Sequence, residues 1–353
     1  MTDACPSPSL KPSKPKIPFK LRLYMSLISA VTDACRRSNG TINRRLLSFL
    51  DVCVAANPSP VDSVRTVDLT VDPNRNLWIR LFLPTSPPPQ DRGLPLVVFF
   101  HGGGFAFLSP SSRTYDLVCR RIARSIPVVV ASVHYRHSPE HRFPAQYDDG
   151  TDVLRFIDSG AIDGTANIDP SACFLVGDSA GANIIHHVGR RWAADCEGWK
   201  KLKISGMVLI QPFFGGVERT ESEIRLEGAP LVSMERTDWL WRAFLPEGED
   251  RDHEAVNVFG PRDRGEIEKD FPSVMVVVGG HDPLQDWQRR YYEGLRARGR
   301  EVTLVEFPDA VHAFFVFPEF ADGESLIEEM RKFINSHRPN TGAGPGGVGQ
   351  LSQ

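Results

Sequence analysis

Residues 172–194 constrain this chain more than any other stretch. An apolar run, Ala172-Cys173-Phe174-Leu175-Val176, leads straight into Gly177-Asp178-Ser179-Ala180-Gly181, and a helical pattern follows from Ala182 to Ala194. The pattern predicts a strand, a sharp turn and a helix, with one serine held strained and exposed above a sheet. The outer glycines are needed there, because a Cβ would collide with the neighbouring strand and helix in so tight a turn. Five residues of this kind are weak evidence by themselves, so their surroundings must carry the reading.

Those surroundings begin at Pro95-Leu96-Val97-Val98-Phe99-Phe100, an apolar run suited to a strand buried on both faces. It runs into His101-Gly102-Gly103-Gly104-Phe105. Glycines after a strand leave backbone N–H groups free to face a ligand, since no side chain shields them. Taken alone, three glycines read as a flexible turn. Paired with a downstream serine turn, they read as donors for the negative charge of a tetrahedral intermediate. The set expected to surround that oxyanion is Gly102, Gly103, Gly104 and Ala180. The donors proper are the N–H groups of Gly103, Gly104 and Ala180, while Gly102 shapes the turn.

A serine hydroxyl needs a histidine to take its proton and a carboxylate to orient that histidine. Of the ten histidines, His134, His137 and His141 precede the serine turn, and His186 and His187 lie in the helix after it. His253 sits in a charged loop and His337 lies near the C-terminal tail. None of these follows a late strand, whereas His312 follows Glu301 to Phe307 through the loop Pro308-Asp309-Ala310-Val311. One strand earlier, Ser273 to Val278 ends in Gly279-Gly280-His281-Asp282. Asp282, Ser179 and His312 thus share one edge of a parallel sheet, the edge where ligands bind. Asp309 and Asp286 are weaker candidates for the acid, and His281 abuts Asp282 too closely to bridge it to the serine. The order Ser179, Asp282, His312 is the one expected of an α/β-hydrolase.

His101-Gly102-Gly103-Gly104, Tyr135-Arg136-His137-Ser138-Pro139-Glu140 and Gly177-Asp178-Ser179-Ala180-Gly181 together resemble the plant carboxylesterases of the hormone-sensitive-lipase-like group. The resemblance covers about residues 60 to 335. Three further stretches, Arg36 to Arg44, Phe214 to Glu223 and Trp239 to Arg251, are similar to the gibberellin-receptor branch of that group. Receptors of that branch resemble esterases that lost the catalytic histidine, and they usually carry serine at the last glycine of the H-G-G-G motif. This chain has His312 and Gly104. The resemblance therefore implies a serine carboxylesterase acting on small to medium esters. A non-catalytic hormone-binding protein and a lyase or cyclase on the same fold are the alternatives. In the resembled family the loop at Tyr135–Glu140 is structural, so buried pairing of Arg136 or Glu140 is expected rather than chemistry.

Along the chain, residues 1–18 read as a disordered tail rich in Pro, Lys and Ser. Residues 19–57 read as an N-terminal helical lid of two helices, Phe19 to Cys35 and Asn43 to Ala56, the second with Leu46, Leu47, Leu50 and Val54 on one stripe. A hairpin follows, Val64 to Val71 and Leu77 to Leu83, and strand–helix alternation then runs to residue 336. Such alternation implies an α/β fold, a mostly parallel central sheet with helices on both faces, here residues 58–337. Residues 212–246 interrupt it and are the expected lid insertion. Residues 338–353 form a second loose tail. Phe105, Phe107, Phe213, Phe214, Trp239, Trp241, Phe314 and Phe315 are candidate walls of an apolar substrate pocket.

A net charge of −3 gives no reason to expect nucleic acid or an anionic membrane as partner. Six cysteines, Cys5, Cys35, Cys53, Cys119, Cys173 and Cys196, contain no close pair of the zinc-site kind. A domain of this size needs no disulfide, so a reducing compartment is expected, cytoplasmic with the nucleus as a second location. The basic stretch before Leu23 resembles a secretory leader only superficially, since Ser26 and Ser29 break the apolar run. No run is long enough to span a bilayer. The chemistry itself asks for neither metal nor cofactor. The partner is a small-molecule ester, and the oligomeric state, monomer or dimer, stays open.

Overall fold

The computed structural model describes residues 15, 17–85, 93–263 and 265–339. Most of the two expected tails, with Cys5, lies outside these residues. Two N-terminal helices, α1 (Phe19–Cys35) and α2 (Arg44–Leu50), precede a hairpin of β1 (Val64–Asp72) and β2 (Leu77–Pro84). Then come β3 (Leu94–Phe100), α3 (Arg113–Ser125), β4 (Val129–His134), α4 (Ala145–Asp158), β5 (Ile168–Asp178) and α5 (Ala180–Ala194). β6 (Ile204–Ile210), α6 (Glu221–Arg225), α7 (Met234–Phe244), β7 (Val274–Gly279), α8 (Gln285–Ala297), β8 (Val302–Phe307) and α9 (Asp322–His337) complete the chain.

Among the described residues eight strands form one sheet in the order β1-β2-β4-β3-β5-β6-β7-β8. From β4 to β8 every neighbour is parallel, while β1 and β2 are antiparallel additions. The hairpin joins because Leu77, Ile79, Leu81, Phe82 and Leu83 are all buried, so β2 needs cover on both faces. β3 shows the packing logic. Leu96, Val98 and Phe100 join the core beneath α4, α5 and α8, whereas Val97 and Phe99 join the one beneath α1, α3 and α9. Each such side chain contributes about 1.5–3 kcal/mol by leaving water. The chain winds outward from β3 to β4, then returns to lay β5 on the other side of β3. The loops after β3 and β5 therefore meet at the switch point of the sheet, where α/β folds bind ligands.

The second N-terminal helix is shorter than the apolar stripe predicts. It ends at Leu50, and Leu50 is exposed. The cause lies in the following residues, which pair with the loop before α3. Ser112 Oγ donates to Asp51 at 2.6 Å, Val54 N–H to Ser111 O at 2.8 Å, and Arg113 N–H to Val52 O at 2.8 Å. Backbone groups engaged this way cannot extend a helix. No helix among the described residues is long and apolar enough to cross a membrane.

Candidate active site

Ser179 stands between β5 and α5 with φ 51° and ψ −116°, a conformation that ordinary side chains avoid. Its neighbours make the turn possible. A Cβ on Gly177 would lie 2.5 Å from the Gly181 carbonyl, and one on Gly181 would lie 1.9 Å from Phe100 O. The turn is fixed further by Ser179 N–H donating to Ile210 O and by Phe213 N–H donating to Ser179 O, each at 2.9 Å.

His312 arrives on the loop after β8, with Nε2 3.1 Å from Ser179 Oγ and Nδ1 2.8 Å from Asp282 Oδ2. Asp282 is wholly buried at the end of β7, yet its carboxylate is well supplied with donors. Gln211 Nε2 and Gln288 Nε2 reach Oδ2 at 3.0 and 2.9 Å, and Leu284 N–H reaches Oδ1 at 2.9 Å. Burial by itself would lower the His312 pKa. The charge of Asp282 and its hydrogen bond, with a smaller pull from Asp178, outweigh that and raise it above the ordinary value. The other acids and bases stand elsewhere. The Asp286 carboxylate accepts from Ser222 N–H at 2.8 Å, and His281 Nδ1 is buried without a hydrogen-bond partner among the described residues.

Around the serine, the N–H groups of Gly103, Gly104 and Ala180 find no hydrogen-bond acceptor among the described residues. Gly103 and Gly104 hold positive φ, 101° and 60°. Gly102 differs. Its N–H already donates to Tyr115 Oη at 2.8 Å and to Asp178 Oδ1 at 2.9 Å. Tyr115 Oη–H in turn donates to Asp178 Oδ2 at 2.8 Å. Burial pushes the Asp178 carboxyl up to about 6 despite these donors. This small network is the footing on which the glycine loop stands.

Two of its members, Tyr115 and the partner role of Asp178, were not read from the sequence, nor were Gln211 and Gln288. Gln211 left one signal. It is a polar residue ending the apolar strand β6 on the serine's own edge, and it clamps three groups at once. Its amide donates to Asp282 and to Val311 O, both at 3.0 Å, while Oε1 accepts Ala313 N–H at 2.7 Å.

The aromatic wall disperses. Phe105 stacks on Phe244 at 3.9 Å, and Phe213 on Trp241 at 4.0 Å, inside the core. Phe314 and Phe315 lie in the core on the other face of the sheet, with Phe314 packed against Phe307. Phe107 and Trp239 pack with Cys35 and Ile42 below the N-terminal helices. Phe214 stacks on Tyr291 at 4.6 Å and lines a cavity of about 600 Å³ that runs along α8, away from the serine. Aromatic residues close in sequence to an active edge still fill the core first, because burial rewards them there. Phe107 and Trp239 do share their cluster with Leu240, which stands over the glycine loop. Leu240 of α7 lies so close to Gly104 that a Cβ there would sit 2.4 Å from Leu240 Cδ1.

The charged groups of the loop after β4 are held in ion pairs, which is what the family resemblance implies for it. Arg136 binds the buried Asp149 through Nη2 at 2.8 Å, and Glu140 pairs with Arg44 of α2 at 2.6 Å. Burial also lowers His101 to about 3 and His134 to about 4, and it holds His137 and His186 well below the usual value, so these imidazoles are neutral.

A parallel sheet carrying a strained serine, a buried histidine–carboxylate pair and unpaired N–H groups on one edge defines an esterase-like hydrolase scaffold. The chain belongs to the α/β-hydrolase fold family, whose model matches residues 97–316. It is 40% identical over 335 residues to the gibberellin receptor GID1C of Arabidopsis thaliana, spanning 92% of this chain and 96% of that one. With carboxylesterase 20 of Arabidopsis thaliana it shares 36% identity over 273 residues, 75% of this chain and 84% of the relative. Among solved structures, an ester hydrolase from the metagenome of Lake Arreo, complexed with a bipyridine phosphonate derivative, superposes with a TM-score of 0.70 at 26% identity, covering 90% of this chain and 97% of that one.

Proposed function

We propose that this chain is a serine carboxylesterase that hydrolyses small to medium carboxylic esters through an acyl-enzyme. Ser179 Oγ attacks the ester carbonyl while His312 Nε2 takes its proton. The tetrahedral oxyanion is held by the N–H groups of Gly103, Gly104 and Ala180. His312 then returns the proton to the departing alkoxide, leaving the acyl group on Ser179. A water, deprotonated by the same imidazole, attacks the acyl-enzyme; collapse frees the acid and restores Ser179. Asp282 keeps Nδ1–H of His312 in place and offsets the imidazolium charge. Each well-aimed oxyanion donor contributes about 3–4 kcal/mol to such a transition state. Residues 19–57 and 212–246 act as the lid over this edge, and the cysteines place the chain in a reducing compartment.

The observation that carries this reading is the unbroken hydrogen-bond chain from Asp282 through His312 to Ser179, at 2.8 and 3.1 Å. Hydrolysis of p-nitrophenyl acetate by the wild type and Ser179→Ala tests it. The substitution should lower kcat by roughly a thousandfold or more. Near wild-type turnover in that variant would rule the mechanism out. Mass-spectrometric mapping of a phosphonate probe should find the label on Ser179.

A second reading is a gibberellin-receptor-like hormone-binding protein. Its support is that the likeness to the receptors spans 92% of the chain, against 75% for carboxylesterase 20. Calorimetry with gibberellin-type acids separates the two readings. Saturable binding without ester turnover would favour the receptor.

A further inference from the structure

Behind the glycine loop, one ring nitrogen from each of His101, His134 and His137 lies within 4.8 Å of the other two, a grouping of potential metal ligands that the ester chemistry does not use. They come from two adjoining strand ends. His101 follows β3 directly, His134 ends β4, and His137 lies three residues further on. β3 and β4 pair in parallel, so their C-terminal ends bring these residues to the same edge.

The rings meet edge to face, His101 and His137 at 84° with centroids 5.9 Å apart, His134 and His137 at 77° and 5.4 Å. Each ring also has a buried nitrogen with no hydrogen-bond partner among the described residues: His101 Nε2, His134 Nδ1 and His137 Nε2. His186, His187 and His281 also bury an unpartnered nitrogen, but among the described residues only His101, His134 and His137 gather as a group of three, which points to a common ligand. The tautomer of His101 is settled by its neighbour. Its Nδ1 lies 2.8 Å from Gly102 O, which can only accept, so Nδ1 carries the proton and Nε2 a bare lone pair. A carbonyl holding the far nitrogen is the arrangement that orients metal-binding histidines.

We propose that His101, His134 and His137 form a site for a divalent transition-metal ion, zinc(II) above all, with water as fourth ligand. Three neutral imidazoles without a carboxylate favour a borderline ion over magnesium or calcium. Zinc–nitrogen bonds of about 2.0–2.1 Å at tetrahedral angles set the nitrogens about 3.4 Å apart, so ring movements of about an ångström complete the set. A cavity of about 350 Å³, lined by His137, Arg44, Asp51 and Cys53 among others, supplies a path for ion and water. The nearby cation of Arg44 is offset by Glu140 at 2.6 Å. The ion would anchor the start of the loop that carries Gly103 and Gly104, and no step of ester cleavage passes through it.

The test uses the full chain, stripped with a chelator and titrated with cobalt(II), then zinc(II). One equivalent of cobalt should give the intense visible bands of a four-coordinate site, and one equivalent of zinc should erase them. His134→Asn and His137→Gln should each weaken zinc binding by about a hundredfold or more, while circular dichroism reports whether the variants fold. Loss of the cobalt bands in a folded variant supports the site. Absence of four-coordinate bands in the wild type overturns it and needs no variant. Bands that persist unchanged in both folded variants overturn it too. These readouts are independent of ester turnover, so the failure of this site and the failure of the esterase reading are distinguishable.

Discussion

His312 is held between opposing influences. Burial favours its neutral form, and the Asp282 carboxylate favours the protonated one more strongly, so the imidazole titrates above the ordinary histidine value. A general base works only when deprotonated. The acid limb of kcat/KM should therefore have its midpoint above pH 6.5, the free-histidine value, and activity should climb as pH rises through it. In Asp282→Asn the raising influence is gone and burial remains. The limb should then move to lower pH while kcat falls roughly 10³–10⁴-fold. A stopped-time assay across pH 5–9 reads both effects, and an unmoved limb in the variant would separate Asp282 from His312. At this scale the sequence was legible wherever a residue closes a strand on the ligand edge. Ser179, Asp282 and His312 are named by their strand ends. The partners of Gly102 were not, because only a folded chain shows its N–H bound to Tyr115 and Asp178. Their separations of 13 and 76 residues carry no local pattern.

At the scale of elements, the serine turn is the most tightly determined part of the molecule. α5 can begin against β3 only because Gly181 has no side chain, and the atom that a Cβ would strike, Phe100 O, belongs to a buried strand. Backbone of that kind cannot rotate aside as a side-chain tip can. Gly181→Ala should therefore cost about 3 kcal/mol or more, visible as a lower urea midpoint, and should abolish turnover in whatever folds. Gly104→Ala is the milder contrast. Its obstacle is the end of Leu240, a flexible side chain, but the backbone φ of 60° still disfavours any residue other than glycine. Its expected mark is a loss of kcat of about tenfold or more as one donor shifts, with stability lowered by only about 1–2 kcal/mol. Periodicity located nearly every strand and helix of the sheet, since two buried faces impose long apolar runs. It failed at α2, where apolar residues continue in helical spacing but the backbone leaves to pair with residues 111–113. It failed again for the aromatic wall. Composition near the edge does not say which residues the core has already taken.

On the scale of the whole molecule, α1 links the two sides of the candidate site. Its C-terminal half reaches the segment before and within α7, through Leu231 N–H donating to Ser29 Oγ at 3.1 Å and Arg236 binding Asp33 at 2.7 and 2.9 Å. Its N-terminal half buries Leu21 and Met25 in the core that holds Val311, Phe314 and Phe317, the residues flanking and following His312. Tyr24 adds an edge contact to Phe317 at 6.2 Å. The roof over Gly104 and the loop of His312 are thus tied through a helix that contributes no reacting atom. Met25 is fully buried at the centre of this tie. Met25→Ala should cost about 2–4 kcal/mol through lost contacts and the cavity left behind. If α1 merely decorates the surface, that loss stays in the melting curve, and hydrogen exchange changes only within residues 19–35. If it braces the site as these contacts require, exchange should rise at 231–244 and 311–317 as well, and kcat should fall while the Ser179 label still forms. Arg236→Ala supplies the control. A half-exposed ion pair is worth at most about 1 kcal/mol, so it should loosen the α7 side alone and leave 311–317 protected.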